Sequence, residues 1–202
     1  HRRERRNRGA VLNEPDTKTS YLDLPLGRFL DLTASGEPAP GGGAAAAVAV
    51  SLAAALSGMA ARLSTGQLPE AEEMLERAEA LKERAAPLAQ ADAAAYGRVI
   101  EAQREGGDVK ATLSAAADVP LEIAEIGAEV AEIAVRLVEH GNPNLRGDAI
   151  TAVLLDEAGT RAAVALVEIN LSAAGVGDDR LDRARKLAQS STVARNAAEG
   201  GT

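Results

Sequence analysis

Aromatic side chains are nearly missing from this chain, and that absence decides most of what it can fold into. There is no tryptophan and no cysteine, and the aromatic residues among its 202 are Tyr21, Phe29 and Tyr96. Sheets favour β-branched and aromatic side chains. Alanine, abundant here, is the strongest helix former, and helices that meet through small residues can approach closely. The expected fold is all-α: a compact bundle of long and short helices with no sheet.

The same inventory excludes several chemistries. Without cysteine there are no disulfides, thiolate nucleophiles or sulfur-bound zinc. The histidines are His1 and His140 only, so one chain cannot build a histidine-rich metal site, and no carboxylate cluster points to magnesium. His140 ends a polar helix face and reads as a surface residue. The net charge is −8, which speaks against nucleic acid, because phosphate contacts need basic patches. The exception is the opening HRRERRNR, residues 1–8, read as the start of a disordered basic tail over 1–20. No apolar run follows it, so it does not resemble a signal peptide. Two stretches, Ala44–Leu63 and Ala149–Leu171, are long and apolar enough to test as membrane spans. The first carries Ser51, Ser57, Gly58 and Arg62; the second carries Asp156, Glu157, Arg161 and Glu168. Both read as buried bundle helices, and a cytoplasmic protein without a membrane partner is expected.

One domain is expected over 21–197. Residues 24–35 predict a short helix with Pro25 in its first turn and Leu26, Phe29, Leu30 and Thr33 on one side. GEPAPGGG (36–43) predicts a loop, and the alanine-rich helix follows directly. A helical stretch from about Pro69 to Arg104 contains Pro87, where a kink or break is expected. Its apolar stripe runs Leu81, Ala85, Leu88, Asp92, Tyr96, Val99, so Asp92 stands where an apolar residue should. A short helix is expected near Val109–Ala117. Asp118 and Pro120 then open a helix with Ile123, Ile126, Val130, Ile133 and Leu137 as its buried seam and glutamates on its wet face. After the loop 141–147 comes the long apolar helix with Asn170 near its end, then a polar helix to about Asn196.

Three segments carry chemistry. Gly41, Gly42 and Gly43 open a helix, where free N–H groups favour a carboxylate or carbonyl and missing side chains allow close approach; the same glycines also suit tight helix packing. Gly141–Asp148 holds Asn142, Asn144 and Asp148 in a proline-stiffened turn. Asparagine offers donor and acceptor to a ring edge, while Asn142 and Asp148 also read as helix caps. Asp92 with Tyr96 one turn on is the third. Facing inward, its carboxylate would be desolvated and its pKa raised towards acid–base use; facing outward beside Pro87, it would be a solvated charge.

Taken in order, FLDLTASGEPAPGGGAAAA (29–47), QADAAAYGRVIEA (90–102), AAADVPLEI (115–123), GNPNLRGDA (141–149) and VEINL (167–171) resemble the formiminotransferase-cyclodeaminase C-terminal family. That family holds formiminotetrahydrofolate cyclodeaminases and related methenyltetrahydrofolate cyclohydrolases. Ala39 stands where the family often has threonine, which removes a hydroxyl. The resemblance implies a cyclodeaminase-like helical domain and a homodimer. It also implies a folate substrate, polyglutamylated forms included, with no metal or bound cofactor. No formiminotransferase domain precedes the matching region, so no channelling within the chain is expected. Residue chemistry and motif matching together make Asp92 and Asp148 the acid–base candidates. Asn142, Asn144, Asn170, Tyr96 and the Gly41–Gly43 amides are the substrate-binding candidates. Cyclodeaminase is the leading expectation and cyclohydrolase the alternative; a non-catalytic folate-binding module is the alternative of another class.

Overall fold

A computed structural model describes residues 20–200; the expected tail, up to residue 19, lies outside the described residues. A 3₁₀ turn at Tyr21–Asp23 leads into α1 (Leu26–Thr33) and α2 (Gly42–Arg62), followed by α3 (Ala71–Ala85) and α4 (Leu88–Glu105). Then come α5 (Val109–Ala116), α6 (Asp118–His140), a second 3₁₀ turn at Pro143–Leu145, α7 (Arg146–Ala174) and α8 (Asp179–Gly200). No strand occurs among the described residues. Pro87 breaks the helix outright: α3 ends at Ala85 and Pro87 caps α4.

The core is built on small side chains. α2 packs most extensively on α7 and α3, and α6 packs on α7 and α8. Gly159 of α7 shows how closely α2 and α7 meet. A Cβ there would lie 2.8 Å from Val50 Cγ2 and 3.0 Å from the Ala46 carbonyl, so the two backbones nearly touch. α2 is long and apolar enough to span a membrane, yet just over half of its apolar window is buried inside the bundle. The α6 seam Ile123, Ile126, Val130, Ile133 and Leu137 is fully inside, as its 3.6-residue spacing requires.

Four expectations change in detail. On α1 only Phe29 points inward, meeting Tyr21 edge-on at 5.8 Å, while Leu26 and Leu30 are exposed. The last two loop glycines, Gly42 and Gly43, belong to α2. Asp148 does not cap α7, which begins two residues earlier; it sits in the first turn. The last helix reaches Gly200, not Asn196.

Arg180 ties the start of α8 to the neighbouring helices. It donates to the Ser114 carbonyl at 2.8 Å, the Ser114 hydroxyl at 2.7 Å and the Asp118 carboxylate at 2.6 Å. This fixes the C-terminal end of α5, which lines the pocket described next.

Candidate functional site

The N-terminus of α2 meets the middle of α4 face on. Gly43 is where they touch: a Cβ added there would fall 2.0 Å from Asp92 Oδ1 and 2.2 Å from its carboxyl carbon. The Asp92 carboxylate thus occupies space that any side chain at 43 would take. It accepts the Ala44 N–H, serving from another helix the role an N-cap side chain serves locally. Gly42 has no such contact, its nearest neighbour being Leu166 Cδ1 at 3.9 Å.

Two effects compete at this carboxyl. Burial penalises the ionised form, and the Ala44 N–H favours it. Burial is the larger, so Asp92 is held above the ordinary carboxylate range. Tyr21 lies close enough to feel the same charge. Burial first, and then the Asp92 carboxylate, push its phenol upward. Its backbone N–H donates to Gln90 Oε1 at 3.2 Å. No pattern in the sequence points to Tyr21 here, since the approach depends on how the segment before α1 returns across α4.

Around this contact lies a pocket of about 280 Å³, lined by the 38–43 loop, Asp92, Tyr96, Ala116, Leu166, Ile169 and Asn170. That is near the lower end for small-molecule sites, roughly 300–1,000 Å³. The Ala39–Pro40 peptide bond on its rim is cis. Asn170 is oriented by α5: its Nδ2 donates to the Ala116 carbonyl at 3.3 Å. Tyr96, 47 % exposed, forms the outer wall.

The fold therefore brings together six of the candidate residues: Gly41, Gly42, Gly43, Asp92, Tyr96 and Asn170. It does not bring the other three. Asn142 is fastened to the opposite end of α2. Its backbone N–H donates to the Ser64 hydroxyl at 2.8 Å, and its Nδ2 donates to the Leu63 carbonyl at 3.0 Å. Its Oδ1 accepts the Asn144 N–H at 3.0 Å. Asn142 is thus used up in holding the turn. Asn144, which is exposed, and Asp148, which is half-buried, stay with it. α2 has 21 residues, so this turn lies about 30 Å from the pocket at 1.5 Å per residue.

A second buried acid escaped the sequence reading. Asp156 of α7 is completely enclosed, beside Thr160 and against Gly127 of α6. Neither of its oxygens nor the Thr160 hydroxyl completes a hydrogen bond. Burial pushes its pKa well above the carboxylate range, opposed by the neighbouring Thr160 hydroxyl and reinforced by Glu157. It does not line the pocket.

Comparison with known proteins gives matches that include the following three. The family model described as Formiminotransferase-cyclodeaminase matches residues 25–186. A methenyltetrahydrofolate cyclohydrolase from Methylorubrum extorquens is 33 % identical over 159 residues, covering 70 % of this chain and 76 % of that protein. The crystal structure of formiminotetrahydrofolate cyclodeaminase from Thermotoga maritima superposes with a TM-score of 0.81 at 27 % identity. The superposition covers 89 % of this chain and 96 % of that one.

Proposed function

The chain belongs to the formiminotransferase-cyclodeaminase family and is a folate one-carbon enzyme; we propose that it closes formiminotetrahydrofolate to methenyltetrahydrofolate with release of ammonia. The observation that carries this reading is the half-enclosed Asp92 carboxyl, held above its ordinary pKa inside the pocket.

Ring closure starts from the protonated formimino group. The neighbouring folate nitrogen adds to its carbon, which becomes tetrahedral and bears an amino group. The attacking nitrogen must then lose a proton and the departing amine must gain one. Ammonia leaves, and the positive charge stays on the methenyl bridge. A single carboxyl suffices: ionised Asp92 takes the first proton and gives it back as an acid to the amine. Burial raises the pKa of Asp92 from its ordinary value, which moves it in the direction that acid–base work calls for. The remaining work is positional. The first-turn amides of α2 hold a carbonyl or carboxylate of the substrate. Asn170 addresses the ring edge, and Tyr96 covers the bound ring as the rest of the molecule runs outward. The proton transfers need no metal or organic cofactor. We place the working enzyme in the cytoplasm as a homodimer, acting on folates with or without a polyglutamate tail.

The test is absorbance at the methenyl chromophore with formiminotetrahydrofolate as substrate. Wild-type protein should produce the chromophore with ammonia, and Asp92→Asn should lower kcat roughly 100- to 10,000-fold, the usual worth of a positioned acid–base group, with unchanged helical content. Full turnover by Asp92→Asn would remove this residue from the chemistry.

A second reading is favoured by the 33 % identity to a cyclohydrolase. Water addition to the methenyl carbon gives an analogous tetrahedral centre, with hydroxyl in place of amine, and needs the same shuttle. Loss of methenyltetrahydrofolate above its spontaneous rate, with no reaction of the formimino compound, would establish it.

A further inference from the structure

The junction between α5 and α6 leaves one carbonyl without its helical donor. Ala117, the residue between the two helices, keeps helical angles (φ −72°, ψ −19°), and the Leu121 N–H reaches back to the Ala117 carbonyl at 3.2 Å. By the same helical spacing the Ala116 carbonyl would take the N–H of residue 120. Residue 120 is proline, which has none. Asn170 of α7 fills the gap, its Nδ2 donating to the Ala116 carbonyl at 3.3 Å. Both residues line the pocket.

That bond decides which way the amide faces. A carbonyl can only accept, so Asn170 turns its NH₂ to α5 and its Oδ1 away from it. Among the described residues no donor meets this Oδ1, so it is left to accept an N–H from a ligand. The pocket thus offers N–H donors at the start of α2 and an amide acceptor from α7.

Ala116 is itself held from both sides. Arg180, only 21 % exposed, donates to Ser114 two residues before it and to Asp118 two residues after it. Its Nε lies 3.1 Å from both oxygens of Asp178, and its Nη2 lies 2.7 Å from one of them. Each guanidinium nitrogen is therefore engaged, and the fixed fork spans contacts that a lysine ammonium, a single point, cannot reach together. The charge also suits its place beside the C-terminal carbonyls of α5. Building on the reading of the pocket as a folate site, we propose that Arg180, which does not line the pocket, is a positioning residue. By clamping the α5–α6 junction it holds the Ala116 carbonyl, and that carbonyl turns the Asn170 acceptor towards an N–H on the edge of the substrate's ring.

The test is a double-mutant cycle on Arg180→Lys and Asn170→Ala, using whichever folate the protein turns over. Asn170→Ala should raise KM roughly threefold to tenfold, the worth of one hydrogen bond between neutral groups, and change kcat far less. Arg180→Lys should raise KM in the same direction by part of that factor and add nothing in the Asn170→Ala background. The pH profile of kcat should stay where it is, because Asp92 is untouched. An equal rise in KM in both backgrounds, or none in either, would overturn the proposal. A second readout needs no folate. In nitrogen-15 spectra the Asn170 side-chain amide is the signal pair that Asn170→Ala deletes. Its bonded proton should exchange slowly in wild-type protein and approach the behaviour of a free amide in Arg180→Lys. An amide unchanged in a variant of full helical content would equally overturn the proposal. Ser114→Ala, which leaves Arg180 in place and removes only a hydroxyl it donates to, should move the same pair the same way by less, and serves if Arg180→Lys does not fold. If wild-type protein turned over neither folate but the amide responded to Arg180, the reaction assigned above would fail while the link from Arg180 to Asn170 stood.

Discussion

At Gly43 the functional feature is a missing atom. The sequence shows three adjacent glycines with equal claims, and only the position of α4 separates them. Gly41 and Gly42 have room for a methyl group, whereas Gly43 has Asp92 in that space. Gly43→Ala should force the carboxyl aside by an ångström or more and lower kcat/KM about 100-fold, the typical effect of such a displacement. Gly97→Ala, an exposed glycine of α4 outside the pocket with nothing within 4 Å of the added Cβ, is the control and should stay close to wild type in the same assay. Asp92 itself was legible, because it interrupts an apolar stripe at helical spacing. The 30 Å gap between Asp92 and Asp148 was not, because a linear motif carries no information about which end of a helix it occupies.

At the scale of helices, the strongest periodicities translated directly. The α6 seam is buried as spaced, and Pro87 separates α3 from α4. α1 fared less well: Leu26 and Leu30 share its apolar side with Phe29, but too little of the fold lies beside them to bury all three. α7 was opaque for the opposite reason. It is apolar through most of its circumference, so the pattern assigned no inward direction, and Asp156 counted only as a charge arguing against a membrane span. The contact of α7 with α2 depends on Gly159, whose Cβ position is already claimed by Val50 and the Ala46 carbonyl. Gly159→Ala should destabilise the protein by about 1–3 kcal/mol, as overpacking does, read as a fall in the urea midpoint without a change in slope.

Over the whole molecule, Asp156 contributes to how stability responds to pH. Its folded pKa lies well above the unfolded value, so across the interval between them the native state binds more protons, and stability falls as pH rises. Asp156→Asn removes that share of the dependence and leaves the share of Asp92. The variant should be more stable than wild type at pH 8 by about 1–3 kcal/mol, the cost of an unsatisfied buried polar group, and the difference should vanish as the pH approaches 4. Urea titrations of both proteins at the two pH values measure it; a difference independent of pH would place the proton elsewhere. The overall class was readable because a chain so poor in aromatics has few ways to fill a core except by close helices. The relation between the two ends of the bundle was not readable, because it follows from how α2 lies along α7. That relation turns α7 into a ruler. One residue inserted between Asp148 and Leu166 would turn one end against the other by about 100° and lengthen the span by about 1.5 Å. Changes of chain length therefore belong in a segment that joins helices away from the pocket, such as 175–178, and the number of residues inside α7 is as much a part of the fold as their identity.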